Sequence, residues 1–507
     1  MNKKIFLILG TILTLVGCDI TISFPNPITS VSSITSATTI TTSGNNNNTI
    51  IKPTDVPPIS STAIPSINPS EKGNSLNIFF INDNHGRLLD DSSQGFARIA
   101  TALNTAVSNY GEHLKIANGD IFQGTYISNT FYGKPLVECL NYMDFDAFVI
   151  GNHEFDWGLD KIARYKDGDM SNGEADFDFL GANIVYKSTN QNPNWIKPYM
   201  ISIKNNRKVG LVGLIGKLEN SINQVMLTDY TFLDPISTAK TYIQKLRVEE
   251  KCDSVIVAIH DYDQTYVSNK IGPLTDDYRV DALLCAHTHE DITEEYTRSD
   301  STKMPIVQNG GNNYCSKSLR LTYNTSDVVT SYSTTKYITK NSAVDNDIHN
   351  ALIAAYVLLN QEAENRVLGK TTSSLSKDKL GKIACDGMVN RYSCDVGVMN
   401  TGGVRSTIPA GDITYKQVFE CFPFDNIVYT LEVSGSVLSS FYREAGSYMY
   451  YNTSFKSSSI SASKTYRLAI IDYVFTSTYY TDIFKGIAYK ENDILREVVA
   501  EAIEQAY

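Results

Sequence analysis

Residues 146–156 read Asp146-Ala147-Phe148-Val149-Ile150-Gly151-Asn152-His153-Glu154-Phe155-Asp156. A short apolar run of strand length stops at a glycine and opens at once into Asn, His, Glu and Asp. The same grammar recurs on both sides of it. Leu76–Ile81 ends in Asn82-Asp83-Asn84-His85-Gly86, and His113–Ala117 leads into Asn118-Gly119-Asp120-Ile121-Phe122-Gln123-Gly124. Ser254–Ile259 ends in His260-Asp261, and Val280–Cys285 ends in Ala286-His287-Thr288-His289. Lys208–Gly216 is a further strand with no polar group at its end. Helical spacing over Arg98–Val107, and a helix start at Asp234-Pro235 with Asp as cap and Pro in the first turn, complete an α/β pattern. Open sheets bind ligands beyond the carboxyl ends of their strands, so five runs ending in Asp, Asn or His predict one site.

Asp, Asn and neutral His are ligands for divalent cations, and the set is large enough for two ions. Gly86, Gly119, Gly124 and Gly151 permit the tight turns that would aim these side chains at a common point. The chain has seven histidines, and five of them (85, 153, 260, 287 and 289) fall in these fragments. His113 and His349 have no motif around them and are expected at the surface. Each fragment alone is weak; their number and order carry the argument.

Asp83-x-His85, Gly119-Asp120-x-x-Gln123-Gly124, Gly151-Asn152-His153-Glu154-Phe155-Asp156, His260 and His287-x-His289 together resemble the calcineurin-like metallophosphoesterase signature. With Gly95-Phe96-Ala97-Arg98 at a helix start, they resemble in particular the bacterial 5′-nucleotidase / UDP-sugar hydrolase / 2′,3′-cyclic phosphodiesterase family, over about residues 76–325. The resemblance implies a four-layer α-β-β-α sandwich. It implies one metal held by Asp83, His85, Asp120 and His289, and a second by Asp120, Asn152, His260 and His287, with Asp120 bridging. His153 and Asp156 would form a dyad beside them. Ala286 stands where the family usually has Gly, and Asp261 follows His260 in place of a small residue; neither departure removes a ligand. Two divalent ions (Zn, Mn, Co or similar) sharing a carboxylate would support in-line attack by water without a protein nucleophile, with His153 donating to the phosphate or the leaving group.

A second domain follows. Asp345–Arg366 carries Ile348, Leu352, Tyr356, Leu359 and Ala363 at helical spacing, suited to a connecting helix. Asn400-Thr401-Gly402-Gly403-Val404-Arg405 and Phe422-Pro423-Phe424-Asp425-Asn426 resemble motifs of the 5′-nucleotidase C-terminal domain, over about 366–507. That resemblance implies substrate contacts by Asn400 and Arg405, stacking of Phe424 on a base with Asn426 nearby, and Tyr473 as the second aromatic. The Gly-Gly-Asp that commonly follows this aromatic is missing after Tyr473, and an upstream substrate Arg is replaced by Lys377 or Lys379.

Composition bounds the rest. The 507 residues carry 44 Lys+Arg against 55 Asp+Glu, a net charge of −11, which argues against binding polymeric nucleic acid. The start, Met1-Asn2-Lys3-Lys4 followed by apolar Ile5–Leu15, reads as an export signal too short to span a bilayer. Leu15-Val16-Gly17-Cys18 resembles a bacterial lipobox, which implies lipidation at Cys18 and a membrane anchor on the extracellular face. Residues 21–70 hold ten Thr, ten Ser and seven of the fifteen Pro, with Lys52 and Asp55 the only charges. Such a stretch cannot offset its ordering entropy by burial and reads as a tether. Seven further cysteines include no Cys-x-x-Cys pair, and buried thiols are expected, with a Cys385–Cys394 disulfide open.

The expected organisation is a signal peptide at 1–17, a disordered tether at 18–73, a metallophosphoesterase domain at 74–335, a linker helix at 340–368 and a smaller α/β substrate-binding domain at 369–507. The expected function is hydrolysis of small extracellular nucleotides, chiefly nucleoside 5′-monophosphates. Hydrolysis of 2′,3′-cyclic nucleotides or UDP-sugars is the alternative, and a non-enzymatic surface-binding lipoprotein is the rival from another class. The sequence leaves oligomeric state open.

Overall fold

A computed structural model describes residues 72–90 and 93–507. Cys18, the signal segment and the tether up to residue 71 lie outside the described residues. Lys72 and Gly73, the last residues of the expected tether, are tied to the body. Lys72 Nζ lies 3.0 Å from Asp253 and 2.6 Å from Asp327, and Gly73 N–H donates to Asn205 O.

Two sheets stack face to face. The first runs, in spatial order, Val329–Ile338, Cys315–Tyr323, Ser75–Ile81, Leu114–Asn118, Ala147–Val149, Asp178–Leu180 and Ile196–Lys197. Its last five strands are parallel, and the hairpin at 315–338 closes one edge antiparallel. The second runs Ile292–Thr297, Lys303–Gln308, Ala282–Ala286, Ser254–His260, Arg207–Ile215 and Tyr199–Lys204, with four central parallel strands. Strand alternation sorts the apolar runs between two faces. Leu76, Ile78 and Phe80 point between the sheets, against a layer that includes Leu211, Ile256 and Leu284. Phe79 and Ile81 point outward to the helix Phe96–Tyr110, while Val257, Ile259 and Leu283 face outward with the helix Pro235–Gln244. This is the four-layer sandwich, and Asp234 caps the helix that follows it by accepting from Ser237 N–H at 2.9 Å.

The second body is a five-stranded sheet ordered Met449–Tyr451, Val396–Asn400, Thr465–Ile471, Ile427–Ser434 and Tyr489–Ile494, with helices Lys377–Tyr392 and Leu495–Ala506 against it. Between the two bodies, residues 346–365 form one helical run containing a π-helical segment, His349–Ile353. Its apolar positions Ile348, Leu352, Tyr356 and Leu359 pack on the core of the first body, and Tyr356 OH donates to Glu138 at 2.8 Å. At its far end Glu364 pairs with Lys416 of the second body at 2.8 Å.

Two expectations change. His113 is buried, not at the surface: its ring bridges Gly111 O at 2.7 Å and Ser318 Oγ at 2.9 Å, which anchors the start of a central strand. His349 is half-buried in the π-helical segment. All seven described cysteines are buried free thiols, Cys385 and Cys394 included. No helix among the described residues is long and apolar enough to cross a membrane.

Candidate metal centre

The five strand ends meet. Asp83, His85, Asp120, Asn152 and His260 are buried where strands of both sheets terminate, and His287 and His289 lean over them half-buried. Two groups form, Asp83–His85–His289 and Asp120–His260–His287, each with its ligand atoms within 4.8 Å of one another. His260 Nε2 lies 3.0 Å from Asp120 Oδ2 and 3.9 Å from Asp83 Oδ1, so the groups adjoin. His85 Nε2 faces His289 Nε2 at 2.9 Å, and His287 Nδ1 faces His260 Nε2 at 3.3 Å.

The turns that do this are strained. Asp83, His85, Asp120, His287 and His289 all have φ between 49° and 85°, a region that side-chain-bearing residues rarely adopt. Gly119, at φ 78°, passes so close to His260 that a Cβ would lie 2.4 Å from its Nδ1. A carboxylate outside the predicted ligand set holds two of these turns. Glu154, fully buried, accepts from the N–H groups of Asp120 (2.9 Å), Ile121 (3.0 Å), Phe122 (3.4 Å) and Gly151 (2.8 Å). The quoted motif contained Glu154, but its position in the chain gave no hint that it works on the backbone of another strand's turn.

The donor set fits divalent cations. Asp83 Oδ1 and Asn152 Oδ1 are buried with no hydrogen-bond partner, a costly arrangement that a cation would relieve. Burial, then the charge of His153, pushes His85 well below the usual imidazole range, and burial with His260 takes His287 down to about 3. Both are held as neutral rings, the ligating form.

Beside this cluster, His153 Nδ1 and Asp156 Oδ2 are 2.7 Å apart, and His153 Nε2 is 3.9 Å from Asp120 Oδ2. Burial opposes charge on His153, but Asp156 and Asp120 outweigh it, and its pKa is raised. The second body reaches this dyad. The ring of Phe424 stacks on His153 with centroids 5.7 Å apart and planes 19° from parallel, and Arg405 stands 5.9 Å above the Phe424 ring. Asn129 bridges the bodies by accepting from Gly124 N–H and donating to Pro423 O, both at 2.8 Å.

A cavity of about 920 Å³ opens on the cluster, lined by His85, Asp120, His153, His287 and His289 on one side and by Arg405, Lys377 and Lys416 on the other. Of the five predicted substrate residues Arg405 is on its wall; Asn400, Phe424, Asn426 and Tyr473 are not. Tyr473 OH instead donates to Asn220 O at 3.0 Å. Lys377 lines the cavity, whereas Lys379 sits 5.4 Å over the Tyr507 ring.

Residues 76–291 match the calcineurin-like phosphoesterase family model, and residues 357–453 match that of the 5′-nucleotidase C-terminal domain. The chain belongs to the calcineurin-like phosphoesterases that carry a 5′-nucleotidase C-terminal domain. It is a phosphoric ester hydrolase of this metal-dependent type. It is 26% identical over 439 residues to a 5′-nucleotidase of Vibrio cholerae, covering 72% of this chain and 74% of that one. Identity to Protein UshA of Yersinia enterocolitica is 25% over 479 residues, with 80% and 86% covered. The fold matches the crystal structure of a 5′-nucleotidase precursor from Thermus thermophilus with a TM-score of 0.71 at 19% identity, over 85% of this chain and 96% of that one.

Proposed function

We propose that this phosphoesterase releases phosphate from extracellular nucleoside 5′-monophosphates while anchored to the membrane through a lipid on Cys18. The observation that carries the substrate reading is the shared cavity: Arg405, from the second body, faces the histidine and carboxylate cluster of the first across one space. Asp83, His85, Asp120 and His289 would hold one divalent ion, and Asp120, Asn152, His260 and His287 the other. Two divalent ions held there would supply Lewis-acid polarisation of a phosphoryl oxygen and a more acidic water. The chain's own part is orientation and proton delivery. Asp156 accepts from His153 Nδ1 and so fixes the ring, leaving Nε2 on the cavity side to donate to the phosphate or to the leaving oxygen. Arg405 supplies a planar cation for the substrate's anionic or ribose oxygens, and Phe424 an aromatic face for the base.

A second reading, cleavage of a nucleotide-sugar pyrophosphate, draws support from Lys377, which lines the same cavity as Arg405 and offers a second cation for a second phosphate. Residues 72–507, supplied in turn with Mn²⁺, Zn²⁺, Co²⁺ and Mg²⁺, separate the readings through phosphate release from AMP, UMP, UDP-glucose and 2′,3′-cyclic AMP. Turnover of AMP or UMP that disappears on chelation is expected. Absence of metal-dependent turnover on all four would sink the proposal, and preference for UDP-glucose would replace it with the second reading. Labelling of full-length protein by a radioactive fatty acid in cells, lost in Cys18→Ala, tests the anchor; equal labelling would refute it.

A further inference from the structure

The turn 422–426 delivers two contacts from the second body to the first, one of them to the dyad beside the candidate metal centre. Pro423 O takes the Asn129 amide, and Phe424 stacks on His153. A turn of this kind needs something to hold its carbonyls, because its backbone runs between a helix end at Cys421 and a strand start at Ile427 with no ladder of its own.

That holder is a buried side chain outside the cavity. Arg496, in the first turn of the helix Leu495–Ala506, donates through Nη1 to Phe422 O (3.2 Å) and Phe424 O (3.5 Å) and through Nη2 to Asp425 Oδ1 (2.8 Å). The neighbouring Leu495 N–H donates to Asn426 O at 2.8 Å. The Arg496 guanidinium also lies 3.8 Å from the centroid of Phe419, whose ring meets Tyr126 of the first body edge-on at 5.1 Å. Arg496 is 6% exposed and does not line the cavity. One planar cation therefore backs two aromatic contacts that cross from the second body to the first, Phe419 with Tyr126 and Phe424 with His153.

We infer that Arg496 is a positioning residue for this hydrolase: it holds the Phe422–Asp425 turn so that Phe424 stands against the His153 dyad and beside bound nucleotide. The role depends on the fork geometry of the guanidinium, since a lysine offers one point charge and cannot reach two carbonyls and a carboxylate while covering a ring. The kinetic consequence rests on the substrate reading above; the structural consequence does not.

Arg496→Lys and Phe424→Leu are compared in Zn²⁺-loaded protein with ¹³C-labelled histidine, the His153 resonance being assigned by its loss in His153→Asn. Both variants are expected to move that resonance, because the ring current of Phe424 acts on it. KM for a nucleoside 5′-monophosphate should rise about tenfold in Arg496→Lys while kcat changes less than about threefold. Asp425→Asn, which weakens one of the three hydrogen bonds, should move the resonance in the same direction by less and serves if Arg496→Lys fails to fold. An unmoved His153 resonance in whichever variant folds overturns the inference. If the resonance moves and the wild-type protein shows no preference for nucleotides over p-nitrophenyl phosphate, positioning stands and the substrate reading falls.

Discussion

Residue by residue, the site is expensive to build. Five of the seven side chains in the two ligand groups and Asn152 sit on left-handed backbone, at a cost of order 1–3 kcal/mol each that the surrounding structure must sustain. Two residues show how it does so. Gly119→Ala would place a methyl 2.4 Å from His260 Nδ1 on backbone at φ 78°, and we expect a loss of roughly 1–3 kcal/mol in stability. Metal content, read by mass spectrometry of the metal, should fall with it; a variant of wild-type stability that keeps its metal would refute the close-approach argument. Glu154→Gln tests the other. A carboxylate accepts from four N–H groups with both oxygens, whereas an amide turns a donor toward two of them. Metal affinity should drop about 10–100-fold, as when a residue orienting a metal ligand is lost. An unchanged titration would show that the turn at 119–122 holds itself.

Among the elements, the segment 472–478 and the short helical turns at 219–227 join the two bodies on a second front. Asn223 Nδ2 donates to Asp472 Oδ2 at 2.9 Å, Thr476 Oγ1 lies 3.3 Å from Asn223 Oδ1, and Thr478 Oγ1 donates to Asn220 Oδ1 at 2.5 Å. Burial pushes the Asp472 carboxyl up to about 6, against the pull of the Asn223 amide and two backbone N–H groups, with Glu491 adding to the rise. A raised carboxyl binds its proton more tightly folded than unfolded, so its contribution is present below pH 3.8 and is lost as pH rises toward 6. Wild-type stability relative to Asp472→Asn should therefore decline between about pH 4 and pH 7, by at most about 3 kcal/mol. Urea midpoints of both proteins across that range check it; a constant gap, or one of opposite slope, would place the Asp472 titration elsewhere. The strands themselves were legible in the sequence because continuous apolar runs bounded by Gly, Asn and Asp have few other readings. His113 was not, since nothing near it in the chain announces that Ser318, 205 positions on, would meet its ring.

At the level of the whole molecule, the cavity exists because two bodies contribute opposite walls. Phe424→Ala should raise KM for nucleotides about tenfold or more and leave KM for p-nitrophenyl phosphate within about twofold, as expected for a lost base stack of roughly 1–3 kcal/mol. Equal effects on both substrates would show that Phe424 acts through His153 alone. The acidic net charge of −11 is compatible with this chemistry, since a small phosphoester needs local cations, not a basic surface.

The sequence by itself determined the class of molecule: the order of apolar runs, the Asp, Asn and His at their ends, and the motifs of a second domain are local features of the chain, readable without coordinates. Tertiary structure decided the rest. It put Glu154 on the amides of another strand's turn, made a buried anchor of His113, placed Lys377 and not Lys379 on the cavity wall, and set Phe424 against His153 with Arg496 behind it. Each of these joins groups far apart in sequence, and their meeting depends on how sheets and bodies pack, which residue type and spacing do not encode.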